Sequence, residues 1–359
     1  MTEFFEIDFL DVQADGSGDA IVLRYGDDRG SVIHVVDGGY QQTGETLVSF
    51  IRQHYNNPSF IDHVVVTHPD GDHAGGLRSV LEEFTVGTLW MLRPWSYAHE
   101  LVGYFDNVTS VEWLERELRN VFPNLAALED IAIERAIEIR EPFQGQQIGW
   151  FTALAPTRLR WLELILASDK TPISSHGVRY SSALRRFSNA VSDVLNQIRS
   201  AWGEEVFSPE ETAPENDMSV VQYAYIADQR ILLTGDAGRE ALSEAADYLE
   251  ANSVILPGID RFQVPHHGSR RNVSTEVLDR LLGPRLNEQP NEGTFTAIVS
   301  ASKNDPKHPR NAVVRAMIHR GGRVTATQGQ HIRTHQNAGS REGWVALTPL
   351  PYPETQEEA

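Results

Sequence analysis

The chain has 359 residues, a formal net charge of −19, 40% hydrophobic residues and no cysteine. This is the composition of an ordinary globular protein. The lack of cysteine excludes disulfides and thiolate ligands, so any metal site would need imidazole and carboxylate groups. The acidic balance argues against a protein that grips long duplex DNA, because such proteins carry a basic footprint.

The N-terminal sequence lacks the features of an export signal. MTEFFEIDFLDV has acids where a signal peptide needs positive charge and a long apolar run. No stretch approaches the roughly 20 consecutive apolar residues that a membrane-spanning helix requires. We therefore expect a cytoplasmic protein with no membrane partner.

The first 95 residues begin with β-rich runs and then alternate strands with helices. Apolar and β-branched runs predict strands at 4–12, 20–25, 31–39, 61–67 and 85–92, and helical spacing predicts helices at 44–55 and 75–84. Such an order is typical of a layered α/β domain, and we take residues 1–95 as its first half.

Residues 96–215 have a different character. Amphipathic patterns predict helices at 110–122, 158–167 and 181–202, and the sequence from 136 to 157 reads as strands that return to the core. We interpret 96–215 as a largely helical insertion with some core strands. Its helices could cover a site, bind a partner protein or form a homo-oligomer.

The core pattern resumes at residues 216–350, which we take as the second half of the fold. Strands are predicted within 219–235 and at 261–265, 295–302, 323–328 and 343–350, and helices at 239–251, 275–283 and 311–321. Residues 351–359 form an acidic tail in which no pattern predicts packing.

Side chains that bind metals follow three of the predicted strands. They are His68, Asp70, Asp72 and His73 after the first, Asp236 after the second, and His266 with His267 after the third. Ligand sites assemble where strands end in layered sheets, and this mixture suits one or two divalent cations. The alternative for Asp236 is a capping role for the helix that follows it.

The segment THPDGDHAGG resembles the His-x-His-x-Asp-His signature of the metallo-β-lactamase superfamily, with Asp70 in place of the second histidine. Five further strings, DVQADGSGDAIVLRY, ENDMSVV, ILLTGDA, VPHHGS and SASKNDPKHP, resemble in the same order the soluble nuclease-like domain of ComEC-type DNA-uptake proteins. The resemblance covers most of the chain outside the helical insertion. It implies a four-layered αβ/βα sandwich with metals at the edges of its two sheets.

The resemblance also implies a site for two divalent ions, zinc or manganese. His68 and Asp70 would hold one ion. Asp72, His73 and one of the adjacent histidines, preferably His267 with His266 touching substrate, would hold the other. Asp236 would bridge the pair.

One position departs from the superfamily pattern. Glu215, Asn216 and Asp217 stand where the superfamily supplies another histidine to the first ion. The first ion would then be bound more weakly, by more oxygen ligands, or only with substrate present. Oxygen ligands shift the preference from zinc toward manganese.

Other polar residues are expected around the metals rather than on them. Asp37 is expected to orient the metal-binding loop by hydrogen bonding. Ser269, Lys303 and His308 are candidates for substrate contact or for supporting the ligands, and loop packing is an equally open reading of Lys303 and His308.

Taken together, these features predict a metal-dependent hydrolase, with a phosphodiesterase or nuclease that acts through a metal-bound hydroxide as the preferred activity. Asp70, Asp72 or Asp236 would take up the proton. The charge of −19 favours a nucleotide or a short or single-stranded nucleic acid over long DNA. The alternatives are a hydrolase of small esters, lactones or amides, and a degenerate binding module.

Overall fold

The structure, a computed structural model, describes residues 2–106, 108–172 and 197–358. Its described strands are β1 (Phe4–Phe9), β2 (Ala20–Asp27), β3 (Gly30–Gly38), β4 (Phe60–Val65), β5 (Thr85–Trp90), β6 (Glu138–Arg140), β7 (Gln147–Ile148), β8 (Phe151–Ala155), β9 (Gln197–Arg199), β10 (Val221–Ile226), β11 (Gln229–Leu233), β12 (Arg261–Gln263), β13 (Phe295–Val299), β14 (Gly322–Ala326), β15 (Ile332–Gln336) and β16 (Thr355–Glu357).

The α-helices connect these strands and cover the sheets. Those described are α1 (Gly44–His54), α2 (Gly71–Ala74), α3 (Leu77–Glu83), α4 (Ala98–Leu101), α5 (Val111–Val121), α6 (Pro123–Glu134), α7 (Arg158–Ala167), α8 (Pro214–Asp217), α9 (Arg239–Ala251), α10 (Thr275–Leu282) and α11 (Asn311–His319). Short 3₁₀ turns occur at Gln41–Thr43, Pro94–Tyr97, Val102–Tyr104 and His266–Gly268.

The described strands form two seven-stranded sheets and a small two-stranded sheet. The first large sheet has the order β15-β1-β2-β3-β4-β5-β6 and the second has the order β14-β13-β12-β11-β10-β8-β7. In each, an antiparallel part adjoins a parallel part, β3 to β6 in the first and β11 to β14 in the second. Parallel neighbours need crossover connections, and helices supply most of them.

The two sheets pack face to face, with helices on their outer surfaces. Phe5 and Ile7 of β1 share one buried cluster with Ala224 and Ile226 of β10, so the inner faces of the two sheets meet there. Helices α9, α10 and α11 belong to a second buried cluster with strands of the second sheet. The predicted α/β sandwich is therefore the observed architecture.

The region predicted as an insertion contributes to both sheets as well as to the helical layer. It supplies β6 to the first sheet, β7 and β8 to the second, and the helices α4 to α7. Helix α6 was absent from the sequence prediction. The helix predicted at 181–202 falls largely outside the described residues, and 197–199 is a strand rather than a helix.

Two predictions for the C-terminal part were wrong. The strand predicted at 343–350 is irregular, and the chain returns to the first sheet earlier, as β15, which pairs with β1. The acidic tail is also packed, because β16 pairs with β9 and the Glu357 carboxylate accepts hydrogen bonds from the backbone N–H groups of Asn311 and Ala312. Carboxylates at a helix N-terminus are stabilising.

No helix among the described residues combines the length and the apolar character needed to cross a bilayer.

Candidate metal centre

The ends of several strands meet at one edge of the sandwich, and their loops carry most of the predicted metal ligands. His68 follows β4, His73 lies in α2, Asp236 follows β11, and His266 and His267 follow β12. All except His266 are buried. Residues from both halves of the chain are thus brought into one cluster.

The carboxylate of Asp236 lies at the centre of the histidine side chains. Its Oδ1 is 3.2 Å from His73 Nε2 and 3.9 Å from His267 Nε2. Its Oδ2 is 3.7 Å from both His68 Nε2 and His266 Nε2. The two oxygens therefore divide the four imidazoles into two pairs, one on each side of the carboxylate.

Asp37 holds the imidazoles of His68 and His73 in position. Its carboxylate accepts hydrogen bonds from the Thr67 N–H, the Thr67 hydroxyl and His73 Nδ1, the last at 2.8 Å. Because the Thr67 hydroxyl donates to Asp37, it accepts from His68 Nδ1, which is 3.0 Å away. Both histidines therefore carry their neutral proton on Nδ1 and present Nε2 to Asp236.

The other two imidazoles are oriented by the second half of the chain. His267 Nδ1 donates to the Ser300 carbonyl at 2.8 Å. His266 Nδ1 is 3.0 Å from Asn272 Oδ1 and 2.8 Å from the Asn216 amide nitrogen. Asn272 in turn donates to the Asp236 carbonyl. The Nε2 atoms of these two histidines also face Asp236.

The cluster fits a bound cation. Among the described residues, the buried Nε2 atoms of His68, His73 and His267 and the Oδ1 atom of Asp236 lack a hydrogen-bond partner. A neutral imidazole with its proton on Nδ1 directs a lone pair from Nε2, which repels a carboxylate unless a cation or proton lies between them. The donor atoms of Asp72, His73 and His267, and those of Asp19, Asp236 and His267, lie close enough together to share an ion.

The pKa shifts within the cluster also indicate a site for a cation. Burial opposes the charged form of His267, but Asp236 and Asp72 raise the pKa of His267 to about 9. The pKa of His73 is raised for the same reason, against burial, by Asp236 and Asp37. The imidazoles hold the pKa of Asp236 well below its usual value despite its burial. Such a site binds positive charge strongly.

The backbone at the site is held in a conformation that non-glycine residues rarely adopt. Asp37, His266 and His267 have φ values of 56°, 48° and 56°. Each such residue costs on the order of 1–3 kcal/mol and persists where its surroundings fix it, which is common at functional sites. Gly268 permits the turn, since a Cβ there would lie 2.7 Å from Pro309 Cβ.

Sequence reasoning missed Asp19 and its partner Gln263. Asp19 is buried in the loop before β2, and its Oδ2 accepts a hydrogen bond from Gln263 Nε2 at 2.7 Å. Its backbone N–H donates to the Asp72 carbonyl. The sequence contained one signal for Asp19, which is its place as the acid in the small-residue turn GSGDA. Gly18 in that turn packs so closely against Asp72 that a Cβ would not fit.

Asp70 departs from its predicted position as a ligand. Its carboxylate is half exposed and binds the Lys170 ammonium at 2.6 Å, and it belongs to none of the candidate metal groups in the described chain. Lys170 follows α7 in the predicted insertion. The Asp70 backbone precedes α2 in an extended conformation, and its side chain reaches the lysine rather than the histidines.

The remaining predicted residues have separate positions. Asp217 binds Arg160 and accepts a hydrogen bond from the Gly238 N–H, so it fastens α7 and α9 rather than the metal cluster. His308 stacks on His266 with ring centroids 5.9 Å apart and bonds to Asp305. Ser269 Oγ accepts from the Arg271 N–H. Lys303 is exposed on the loop after β13.

Residues 14–124 match the family model of the metallo-beta-lactamase superfamily. Over this segment, which is less than a third of the chain, the sequence is similar to that superfamily. The matched segment includes Asp19, Asp37 and the loop from His68 to His73. No match was found among curated proteins.

The solved structures that match this chain have low sequence identity to it. The metallo-beta-lactamase SMB-1 bound to 2-mercaptoethanesulfonate has 10% identity and a TM-score of 0.30, with 69% of this chain and 73% of that chain covered. The same enzyme in complex with mercaptoacetic acid also gives 10% and 0.30, with 70% and 74% covered. A metallo-beta-lactamase from Hirschia baltica gives 17% and 0.21, with 42% and 56% covered.

Proposed function

We propose that the chain is a metal-dependent phosphodiesterase whose substrate is a nucleotide or a short or single-stranded nucleic acid. We infer metal dependence from the Asp236 carboxylate, which lies between the Nε2 atoms of four imidazoles. Only positive charge makes that arrangement stable. Histidine and aspartate side chains usually bind that charge as a divalent cation.

The two sides of Asp236 would serve two ions, zinc or manganese. His73 and His267, with Asp72, would hold one of them, and Asp19 lies beside this set. His68 and His266 would hold the other. Divalent ions in such a site supply Lewis acidity, which acidifies water and stabilises the negative charge that develops on a phosphoryl oxygen.

The residues of the chain orient the ligands and manage the proton. Asp37, the Ser300 carbonyl and Asn272 fix the imidazoles, so the Nε2 lone pairs converge without rearrangement. Asp72 has the more exposed carboxylate, with 25% of its side chain accessible against 3% for Asp236. Asp72 Oδ2 can therefore accept a proton from the attacking water and pass it to solvent.

Groups at the mouth of the site favour an anionic substrate. Lys170, with 42% of its side chain exposed, is held beside the metal-binding loop by Asp70 and can meet a phosphate oxygen. His308 is held by Asp305, which also accepts a hydrogen bond from Ser17, and it stacks on His266. These positions suit contacts to a phosphate or to the leaving group.

An apolar substrate group would find little room beside His68. The cavity there, lined by side chains such as Leu92, Leu125 and Trp161, has a volume of about 10 Å³. A single water needs about 10–15 Å³. This void lies among buried core side chains and offers no pocket for an apolar substrate group; hydrolysis of small esters, lactones or amides remains the alternative activity.

The test is an activity panel with purified protein. Zn²⁺, Mn²⁺ and Mg²⁺ are supplied in turn with single- and double-stranded DNA, RNA, bis(p-nitrophenyl) phosphate and a simple lactone. We expect turnover of phosphodiesters and its loss in Asp72→Ala. Asp247→Ala, an exposed position on α9, is the matched control and should keep full activity. Turnover of the lactone alone would replace this function with the alternative.

Metal analysis of the same samples tests the ion count. We expect close to two equivalents per chain after dialysis against zinc or manganese. Turnover that survives both Asp72→Ala and exhaustive chelation would contradict a metal-dependent reaction.

A further inference from the structure

A large cavity lies at the edge of the sandwich where β14 of the second sheet and β15 of the first are the outermost strands. The segment from 340 to 347 also lines it, and its volume is about 840 Å³. None of the metal-centre side chains is among its lining residues. Cavities of roughly 300–1,000 Å³ are typical of small-molecule sites.

The lining of this cavity is basic although the whole chain carries a charge of −19. Arg323, Arg333 and Arg341 line it, and Glu342 is the one carboxylate among the lining residues described. Arg333 and Arg341 are held in place by buried carboxylates on the adjacent strand β1. The Arg323 side chain is exposed, and within the described part of the chain its guanidinium has neither a hydrogen-bond nor an ion-pair partner.

Histidines add hydrogen-bond donors to the same lining. The Asp11 N–H donates to His331 Nδ1, so neutral His331 carries its proton on Nε2. Burial and then the charge of Arg333 lower the pKa of His335. The histidines are therefore neutral donors near pH 7, while the arginines keep their charge at any physiological pH.

We propose that this cavity binds a small organic anion, of nucleotide size or smaller, through a phosphate or carboxylate group that pairs with Arg323. The guanidinium fork matches the oxygens of either group. Since β13, β14 and β15 all contribute to the lining, the bound anion would join the edges of the two sheets. Binding to the folded state alone would raise its thermal stability. The proposal does not depend on the hydrolytic function.

The experiment is isothermal titration of the full-length chain, treated with EDTA to remove metals, in about 150 mM salt to suppress non-specific attraction. Pyrophosphate and citrate are the two probes, and they distinguish a phosphate from a carboxylate ligand. We expect saturable 1:1 binding of at least one probe. We expect Arg323→Gln to weaken it about tenfold or more, as for the loss of a charge-assisted hydrogen bond.

Matched variants locate the binding. Arg199→Gln, which removes an exposed arginine on β9 outside the cavity, should bind like the wild type. Asp72→Ala, a change at the metal centre, should also bind like the wild type. The proposal is overturned if neither probe binds at millimolar concentration, if Arg323→Gln binds as tightly as the wild type, or if Asp72→Ala abolishes binding. Circular dichroism verifies that each variant is folded.

Discussion

The molecule contains two buried acidic clusters that are neutralised in different ways. On the outer face of β1, Glu6 and Asp8 are fully buried and are met by arginines and a tyrosine: Arg24, Arg333, Arg341 and Tyr55. At the strand ends, Asp236 is buried between imidazoles whose Nε2 atoms carry no proton in their neutral form.

The difference separates a structural cluster from a functional one. Arginine is always charged, so the Glu6–Asp8 cluster is complete within the chain. Imidazole is a weak base and a good metal ligand, so the Asp236 cluster is completed by a proton or a metal ion. Buried acids that face arginines stabilise a fold, whereas buried acids that face orphaned histidine nitrogens leave a place for a cation.

The largest expected effect comes from removing the central carboxylate. Asp236→Asn should lower turnover on the order of 10⁴-fold and remove at least one equivalent of bound metal, because a neutral amide cannot balance two cations. Turnover and inductively coupled plasma metal analysis measure the two effects. Asp247→Asn is the control on an exposed helix surface. Normal metal content in Asp236→Asn would place the ions elsewhere.

The arginine-neutralised cluster should behave in the opposite way. Glu6→Gln removes the common partner of Arg24, Arg333 and Arg341, and breaking a buried ion pair typically costs about 3–5 kcal/mol of unfolding free energy. Urea unfolding measures this loss. The metal content of the folded protein should not change. Glu115→Gln, on the exposed face of α5, should be close to neutral.

The pH dependence of stability should also report on this cluster. Burial raises the pKa of Asp8 from 3.8 to about 6, even though Arg341 opposes the shift. A raised pKa favours the protonated acid in the folded state, so this contribution is present below pH 4 and lost as the pH rises through 6. The loss amounts to about 3 kcal/mol at most.

Asp8→Asn isolates that contribution, because the amide does not titrate. Between pH 4.5 and pH 7.5, the wild type should lose unfolding free energy relative to Asp8→Asn in urea titrations at each pH. A constant difference between the two proteins across this range would show that Asp8 has an ordinary pKa.

The smallest expected effect concerns the edge of the metal centre. If Asp70 positions Lys170 for the substrate, Asp70→Asn and Lys170→Ala should each raise KM for a phosphodiester by about three- to tenfold, with kcat and metal content nearly unchanged. Lys170→Arg should restore much of the affinity. Loss of metal in Asp70→Asn would instead support its role as a ligand, as the sequence predicted.

Local patterns in the sequence were sufficient for most of the fold. Alternating and helical periodicities located elements such as α7 and α9 to the residue, because their apolar spacing is encoded locally, and α7 also begins at its own cap, Thr157. The strand at 343–350 was wrongly predicted from an apolar run. Whether such a run becomes a strand depends on a free sheet edge, and β15 occupies the edge beside β1.

In the candidate site, too, residues that are close in sequence could be predicted, and contacts between distant residues could not. His68, Asp72 and His73 lie within six positions, so a sequence pattern could group them. Asp19 lies in the cluster and is held by Gln263, which is 244 residues away, and Asp70 binds Lys170, which is 100 residues away. Contacts across such separations depend on the assembled sheets, and no local pattern indicates them.

Because β15 pairs with β1, the first sheet is completed only late in biosynthesis. The strand beside β1 is not yet made when the ribosome has completed the matched segment 14–124, and it emerges only after more than 330 residues have been translated. The backbone N–H and C=O groups on one side of β1 therefore stay unpaired through most of synthesis. Strands of other nascent chains can pair with them. The late arrival of β15 closes that edge, and a ribosome that stalls before it would release a polypeptide prone to aggregation.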